Sequence, residues 1–320
     1  MTDRIAYQKE HRHALGTEAT IFIVAAPAVA APIFEVVWQT LSDFEARFSR
    51  FKEGSELSKF NARAGEWYKV SPEFYQMLKL CKHFGSLTKG LFNPFILPTL
   101  QKVGYTGSWP AVNDFDTRLD VRNRTVVNIE ELLLQDEQAY IPTSTALDFG
   151  GIGKGYALDV LGAVLDKYEL AGYCISLGGD VLCKGYTLTD APWRVGIEAA
   201  NDTTQKVGVL VNEDAALFAA ATSTTVKRRG QGWHHIINPL TNEPASSNVE
   251  SATVMATSGV QADIFAKLFI IDPAAAEQIV APLAGVGYHG AILQLTDGTV
   301  KQRATAQAYA QLFVTPTQTK

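Results

Sequence analysis

A chain of 320 residues that is 47% hydrophobic and 19% charged has the composition of a folded, enzyme-sized protein with a sizeable core. Its formal net charge of −5 at pH 7 argues against nucleic acid or an anionic membrane as the main partner, and the one basic run, Lys227-Arg228-Arg229, is too short to build a basic face. Three widely spaced cysteines without a CxxC, Cys81, Cys174 and Cys183, point to neither a disulfide framework nor a zinc knuckle and read as small core residues.

In chain order, the first feature is the apolar stretch from Thr20 to Phe34. A membrane span needs about 18 apolar residues, and this run contains Pro27 and Pro32 between Glu18 and Glu35, so a span is rejected. The long leader carrying Arg4, Lys9, Glu10 and Arg12 is unlike a signal peptide, so a cytoplasmic location is expected over a secreted one. Phe34, Val37, Trp38, Leu41, Phe44 and Phe48 then recur at three-and-four spacing, the apolar stripe of an amphipathic helix. Ser71-Pro72-Glu73 opens a second helix, with serine as cap and proline in the first turn, that buries Phe74, Met77, Leu78, Cys81 and Phe84.

Short strands are expected over Val121–Val127 and Ala139–Ile141, and a third helix after the glycines near 150, carrying Ala157, Val160, Leu161, Val164 and Leu165. Strands follow at Tyr173–Leu177, Trp193–Ile197, Val207–Val211, Leu217–Ala221 and His234–Ile237, then helices at about 260–271 and 273–282, then strands near Ala291–Leu295 and Ala308–Val314. The strand runs stand too close together for crossover helices, so they pair antiparallel. The fold class is α+β, with mixed, mainly antiparallel sheets, packed helices and two lobes sharing one core as a single domain.

Four segments offer chemistry. The glycine-rich turn Asp148-Phe149-Gly150-Gly151-Ile152-Gly153-Lys154-Gly155 feeds a helix whose first amides can cradle phosphate while Lys154 neutralises it. It serves equally well as a tight strand-to-helix joint, and Gly155 occupies the place where a Walker A loop has Ser or Thr. Gly178-Gly179-Asp180 ends a strand with a turn that admits positive φ or a close-lying ligand. Of the adjacent His234 and His235, only one can face a given pocket if both lie on a strand. Asp263, near the start of an apolar helix, reads when taken alone as a dipole or capping residue.

Taken in order over about residues 14–270, these segments resemble the ApbE family of flavin transferases. Ala14-Leu15-Gly16-Thr17 is similar to an opening MGT, Ser55-Glu56-Leu57-Ser58-Lys59-Phe60-Asn61 to SxLSxxN, and Gly90-Leu91-Phe92-Asn93-Pro94 to GxFDP. Asp148 to Gly155 resembles DLGxxxKG, Gly178-Gly179-Asp180 GGD, Trp193-Arg194-Val195-Gly196-Ile197 WRxGI, and His235-Ile236-Ile237-Asn238-Pro239 HIIDP.

The resemblance implies an enzyme that binds FAD in a cleft with Mg²⁺ and passes FMN to a threonine or serine hydroxyl of a flavin-carrying redox protein, releasing AMP. It assigns His235 as general base and places Ser55, Asn61, Lys154, Gly178, Gly179, Asp180 and Ser223 at the ligand. The metal would take Asp263, the Gly153 carbonyl and a threonine at 267, where this chain has Lys267. Either Lys267 turns away or it replaces part of the metal's charge. Thr224 and Asn238 are further departures, at a glycine and an aspartate of the family pattern. Two alternatives follow: a protein that holds FAD without transfer, and an FAD pyrophosphatase in which water replaces the acceptor.

Overall fold

The computed structural model describes residues 5–102, 126–225, 234, 236–304 and 309–313. His235, the basic run at 227–229 and most of the strand expected over 121–127 lie outside these residues.

The chain opens with a hairpin, β1 (Ala6–Ala14) and β2 (Thr17–Ala25). Its two-residue turn, Leu15 and Gly16, has positive φ at both positions (54° and 70°), the sense of turn that matches strand twist. The apolar run beginning at Thr20 is therefore two elements. Its β-branched first half completes β2, and α1 (Pro27–Phe48) starts with Pro27 in its first turn. The expected stripe of α1 is buried, and Trp38 donates its indole N–H to Glu10 at 2.5 Å. Next come α2 (Glu56–Asn61), β3 (Tyr68–Lys69), α3 (Pro72–Leu87), a 3-10 turn at Pro94–Ile96, α4 (Leu97–Lys102), β4 (Leu133–Gln135), β5 (Gln138–Tyr140) and α5 (Gly153–Leu165). Ser71 caps α3 as expected, accepting from the Phe74 N–H.

The second half supplies β6 (Gly172–Leu177), β7 (Asp180–Gly185), β8 (Trp193–Glu198), β9 (Lys206–Asn212), β10 (Phe218–Thr224), β11 (Ile237–Asn238), β12 (Glu243–Pro244) and β13 (Val249–Ala256). It closes with α6 (Gly259–Ile271), α7 (Pro273–Val280), β14 (Tyr288–Leu295), β15 (Val300–Arg303) and β16 (Ala310–Leu312). Eight strands form one sheet in the order β1-β2-β6-β7-β10-β13-β14-β15, while β16-β9-β8 and β3-β5-β4 form three-stranded sheets. The ladders are antiparallel, which makes the fold α+β with mainly antiparallel sheets.

One hydrophobic cluster takes in side chains from β2, α1, α3, α5, α6 and β14. Within it α6 is buried on every side except at Gln261 and Lys267. Helices α5 and α6 touch through glycines: a Cβ on Gly155 would stand 2.3 Å from the Gly259 carbonyl oxygen. That approach brings Asp263 of α6 against the start of α5, where one of its carboxylate oxygens accepts the Gly155 N–H at 3.1 Å.

Candidate active site

Two hairpin turns meet at one end of the large sheet. Gly178 and Gly179, at φ +61° and +97°, join β6 to β7, and the Gly178 N–H donates to Glu18 O at 2.9 Å, beside the β1–β2 turn. A Cβ on Gly178 would lie 2.5 Å from the Thr17 hydroxyl oxygen, so this contact requires glycine. With the glycine-rich turn before α5, these hairpins wall a cavity of about 680 Å³, within the range of small-molecule sites.

The cavity has two characters. Lys154, Lys267, Gly150, Gly151, Gly178, Gly179 and Ser223 line a polar, glycine-rich side, and Phe92, Ile96, Leu100, Ile236, Ile237 and Leu268 offer apolar surface. Val195, Gly196 and Glu198 of β8 contribute a further wall. A ligand suited to it combines a flat apolar group with an anionic one.

The charged side is built from four residues. Lys154 is ion-paired with Asp180 and stands 4.0 Å from Asp263. Asp180, itself buried, also accepts the Thr222 N–H at 3.1 Å. Lys267, one helical turn past Asp263, is ion-paired with that carboxylate and reaches the Asp263 carbonyl oxygen at 3.2 Å. Burial would raise the Asp263 pKa, but Lys267, Lys154 and the hydrogen bonds to it outweigh burial and hold it below the ordinary carboxylate range. Asp148 fixes the turn itself: it pairs with Arg50 at 2.8 Å and accepts the Gly150 N–H at 2.8 Å.

Of the residues expected at the ligand, Lys154, Gly178, Gly179 and Ser223 line the cavity, and Asp180 stands behind Lys154. Ser55 and Asn61 do not line it. Ser55 is buried as the N-cap of α2, accepting the Ser58 N–H, and Asn61 clamps the segment before the glycine-rich turn, bonding both the N–H and the C=O of Leu147 at 2.8 and 2.9 Å. Asp263 is neither a cap nor a dipole residue of its own helix. Ser258 caps α6, Asp159 of α5 accepts the Gly259 and Val260 N–H groups at 2.5 and 3.0 Å, and Asp263 sits deeper, fully buried.

His234 is not on a strand. One ring nitrogen accepts the Ile236 N–H at 3.3 Å and the other bonds the Ala245 carbonyl at 2.8 Å. Asn238, in place of an aspartate, still forms the local turn, its amide oxygen accepting the Leu240 N–H at 3.0 Å. Thr17, Phe92 and Asn93 line the cavity although only the family pattern marked their segments; turn residues and an aromatic carry no signal of their own.

The proposed magnesium ligands do not fit a divalent ion as they stand. Asp263 spends one carboxylate oxygen on the Gly155 N–H and the other on Lys267. Gly153 opens α5, where carbonyls enter the helical ladder, and it does not line the cavity. No three of His, Cys, Asp or Glu converge on one point among the described residues.

The model of the ApbE family matches residues 15–287. The chain belongs to that family. Among curated relatives, the FAD:protein FMN transferase of Vibrio cholerae is 27% identical over 78% of this chain and 76% of its own length. That of Treponema pallidum is 29% identical over 72% and 69%. The crystal structure of the ApbE protein of Thermotoga maritima superposes with a TM-score of 0.83 at 25% identity, covering 96% of this chain and 100% of that one. The flavin transferase ApbE of Vibrio cholerae gives 0.79 at 23% identity over 95% and 100%.

Proposed function

We propose that the chain transfers the FMN part of FAD to a threonine or serine hydroxyl of a flavin-carrying redox protein. The observation that carries this reading is a single cavity, in a member of the ApbE family, that joins ammonium groups and a glycine-rich turn to an apolar wall. A pyrophosphate fits the first and an isoalloxazine the second.

In the reaction the acceptor oxygen attacks the phosphorus on the riboflavin side of the pyrophosphate. A new P–O bond forms, the bond from that phosphorus to the bridging oxygen breaks, its electron pair leaves on AMP, and the hydroxyl proton passes to a base. His235 is the proposed base: the residues after it, Ile236 and Ile237, line the cavity, and His234 has both ring nitrogens engaged in backbone bonds. Lys154 would offset the charge that develops on the phosphates, and the Gly151 amide would orient them, the Gly150 N–H being held by Asp148. Asp180 holds Lys154 in place. A cytoplasmic location belongs to the same reading, supported by the incorporation of the early apolar run into β2 and α1. No helix among the described residues is long and apolar enough to cross a membrane.

Mixing the protein with FAD and a flavin-carrier domain in a single turnover tests the reading. Transfer leaves the carrier fluorescent after denaturation, with one AMP released per label. AMP without labelled carrier would mean a pyrophosphatase, and bound FAD with neither product a holding protein; either outcome defeats the proposal. His235→Ala should lower transfer about 10²-fold or more at nearly unchanged FAD affinity.

A further inference from the structure

The pair Asp263–Lys267 is a built-in cation on a buried carboxylate, at the position where the family pattern has a metal-binding threonine. Its setting is specific. Lys267 is one of only two residues of α6 that are not buried, and it leaves the helix into the cavity. Its stem packs on the glycine-rich turn: a Cβ on Gly151 would lie 3.8 Å from Lys267 Cδ. The ammonium is thereby held against Asp263 on both the carboxylate and carbonyl oxygens.

Charge counting then separates the options. Asp180 and Asp263 bring two negative charges and Lys154 and Lys267 two positive ones, so this cluster is neutral without a metal. A divalent ion joining it would face two ammonium groups within a few ångströms, and it would have to take from Lys267 the Asp263 oxygen that Mg²⁺ would use at about 2.1 Å. An anionic pyrophosphate would instead meet the two ammonium groups, since Lys154 and Lys267 line the cavity and Asp180 and Asp263 do not, although Glu18, Asp148 and Glu198 line it as well.

We propose that Lys267 supplies, as a covalently attached cation, the positive charge that a divalent metal would otherwise bring, so that this chain holds the pyrophosphate of FAD without a metal. The inference rests on the FAD reading above. The bond changes in the transfer step are those already written. Lys267 offsets phosphate charge and takes no proton or electron.

The test uses the full chain after chelator treatment, and Lys267→Thr prepared in the same way. Calorimetry with FAD in chelator, and again with excess magnesium, should give the wild type the same affinity within about twofold. The threonine variant should lose about tenfold in chelator, the scale of one charge-assisted hydrogen bond, and regain it with magnesium. Electron paramagnetic resonance with Mn²⁺ alone, without FAD, should show binding to Lys267→Thr and not to the wild type. Wild-type FAD binding that appears only with magnesium would overturn the proposal, and so would Mn²⁺ bound equally by both proteins. If Lys267→Thr does not fold, the wild-type arms still decide. If FAD binds neither protein under any condition, the FAD reading fails, while the Mn²⁺ comparison still judges the lysine.

Discussion

Gly155→Ala tests how the site is positioned. In a free helix the change would stabilise by up to about 1 kcal/mol through propensity. Here the added Cβ would meet the Gly259 carbonyl oxygen at 2.3 Å, its carbon at 2.6 Å and Asp263 Cβ at 2.8 Å. These atoms are backbone or rigidly attached to it, so α5 and α6 must move apart. Overpacking of this kind costs about 1–3 kcal/mol, and parting the Gly155 N–H from the Asp263 carboxylate costs about 1.5–3 kcal/mol more. The clash outweighs the propensity, for a net loss of about 1.5–5 kcal/mol. At about 2.1 cal/mol/K of unfolding entropy per residue, 1 kcal/mol is worth about 1.5 °C in a chain of 320 residues, so the melting temperature should fall by about 2–8 °C. Gly162→Ala, in the same helix, is the control. Its Cβ would first meet the end of the flexible Leu182 side chain at 3.0 Å, so stability should stay within about 1 kcal/mol of wild type. Differential scanning calorimetry of the three proteins decides; a Gly155→Ala variant that melts at or above wild type would refute the glycine-contact account.

Burial raises the Asp159 carboxyl to about 6, the Val260 and Gly259 N–H groups offsetting this only in part and Asp263 adding to it. A carboxyl raised in the folded state favours folding at low pH, and that contribution is lost as pH climbs from about 4 to about 6. The stability of wild type relative to Asp159→Asn should therefore fall by about 2–3 kcal/mol between pH 4 and pH 7 in denaturant titrations, and a constant difference would contradict it. His234→Ala removes a buried ring with two backbone bonds and should cost about 2–4 kcal/mol of stability by urea unfolding; a loss below about 0.5 kcal/mol would show that the ring is dispensable. Burial pushes the Cys81 thiol up, and the bond to Cys174, with Sγ atoms 3.2 Å apart, and burial push Cys183 up. An aromatic disulfide reagent at pH 8 should thus find none of the three thiols in the native protein and all three after denaturation; fast native labelling would exclude this packing. Calorimetry should rank FAD above riboflavin, since only FAD brings an anion to Lys154 and Lys267; equal affinities would mean that the polar side contributes nothing.

The sequence by itself determined the elements whose signal is local. The stripe from Phe34 to Phe48, the Ser71-Pro72 helix start and the antiparallel run of strands were all legible, because apolar period, capping chemistry and short spacing act within a few residues. Lys154, Gly178, Gly179 and Ser223 were marked by family pattern and do line one cavity. Strands β1, β7 and β13 were not legible, and the run from Thr20 to Phe34 did not announce its break at Pro27. β7 and β13 are buried and lack a clean polar alternation, while β1 is an exposed, largely polar edge strand; only their sheet partners give these segments identity. Asp263 shows the same limit most sharply. Alone near a helix start it looks like a dipole residue, and its meaning as a buried anion came from α5, more than 100 positions away in the chain, pressed against α6 through Gly155 and Gly259. Local residues set which segments become helix or strand; only long-range packing set which charges share a cavity, because a charge's role depends on what surrounds it, and its neighbours here are distant in sequence.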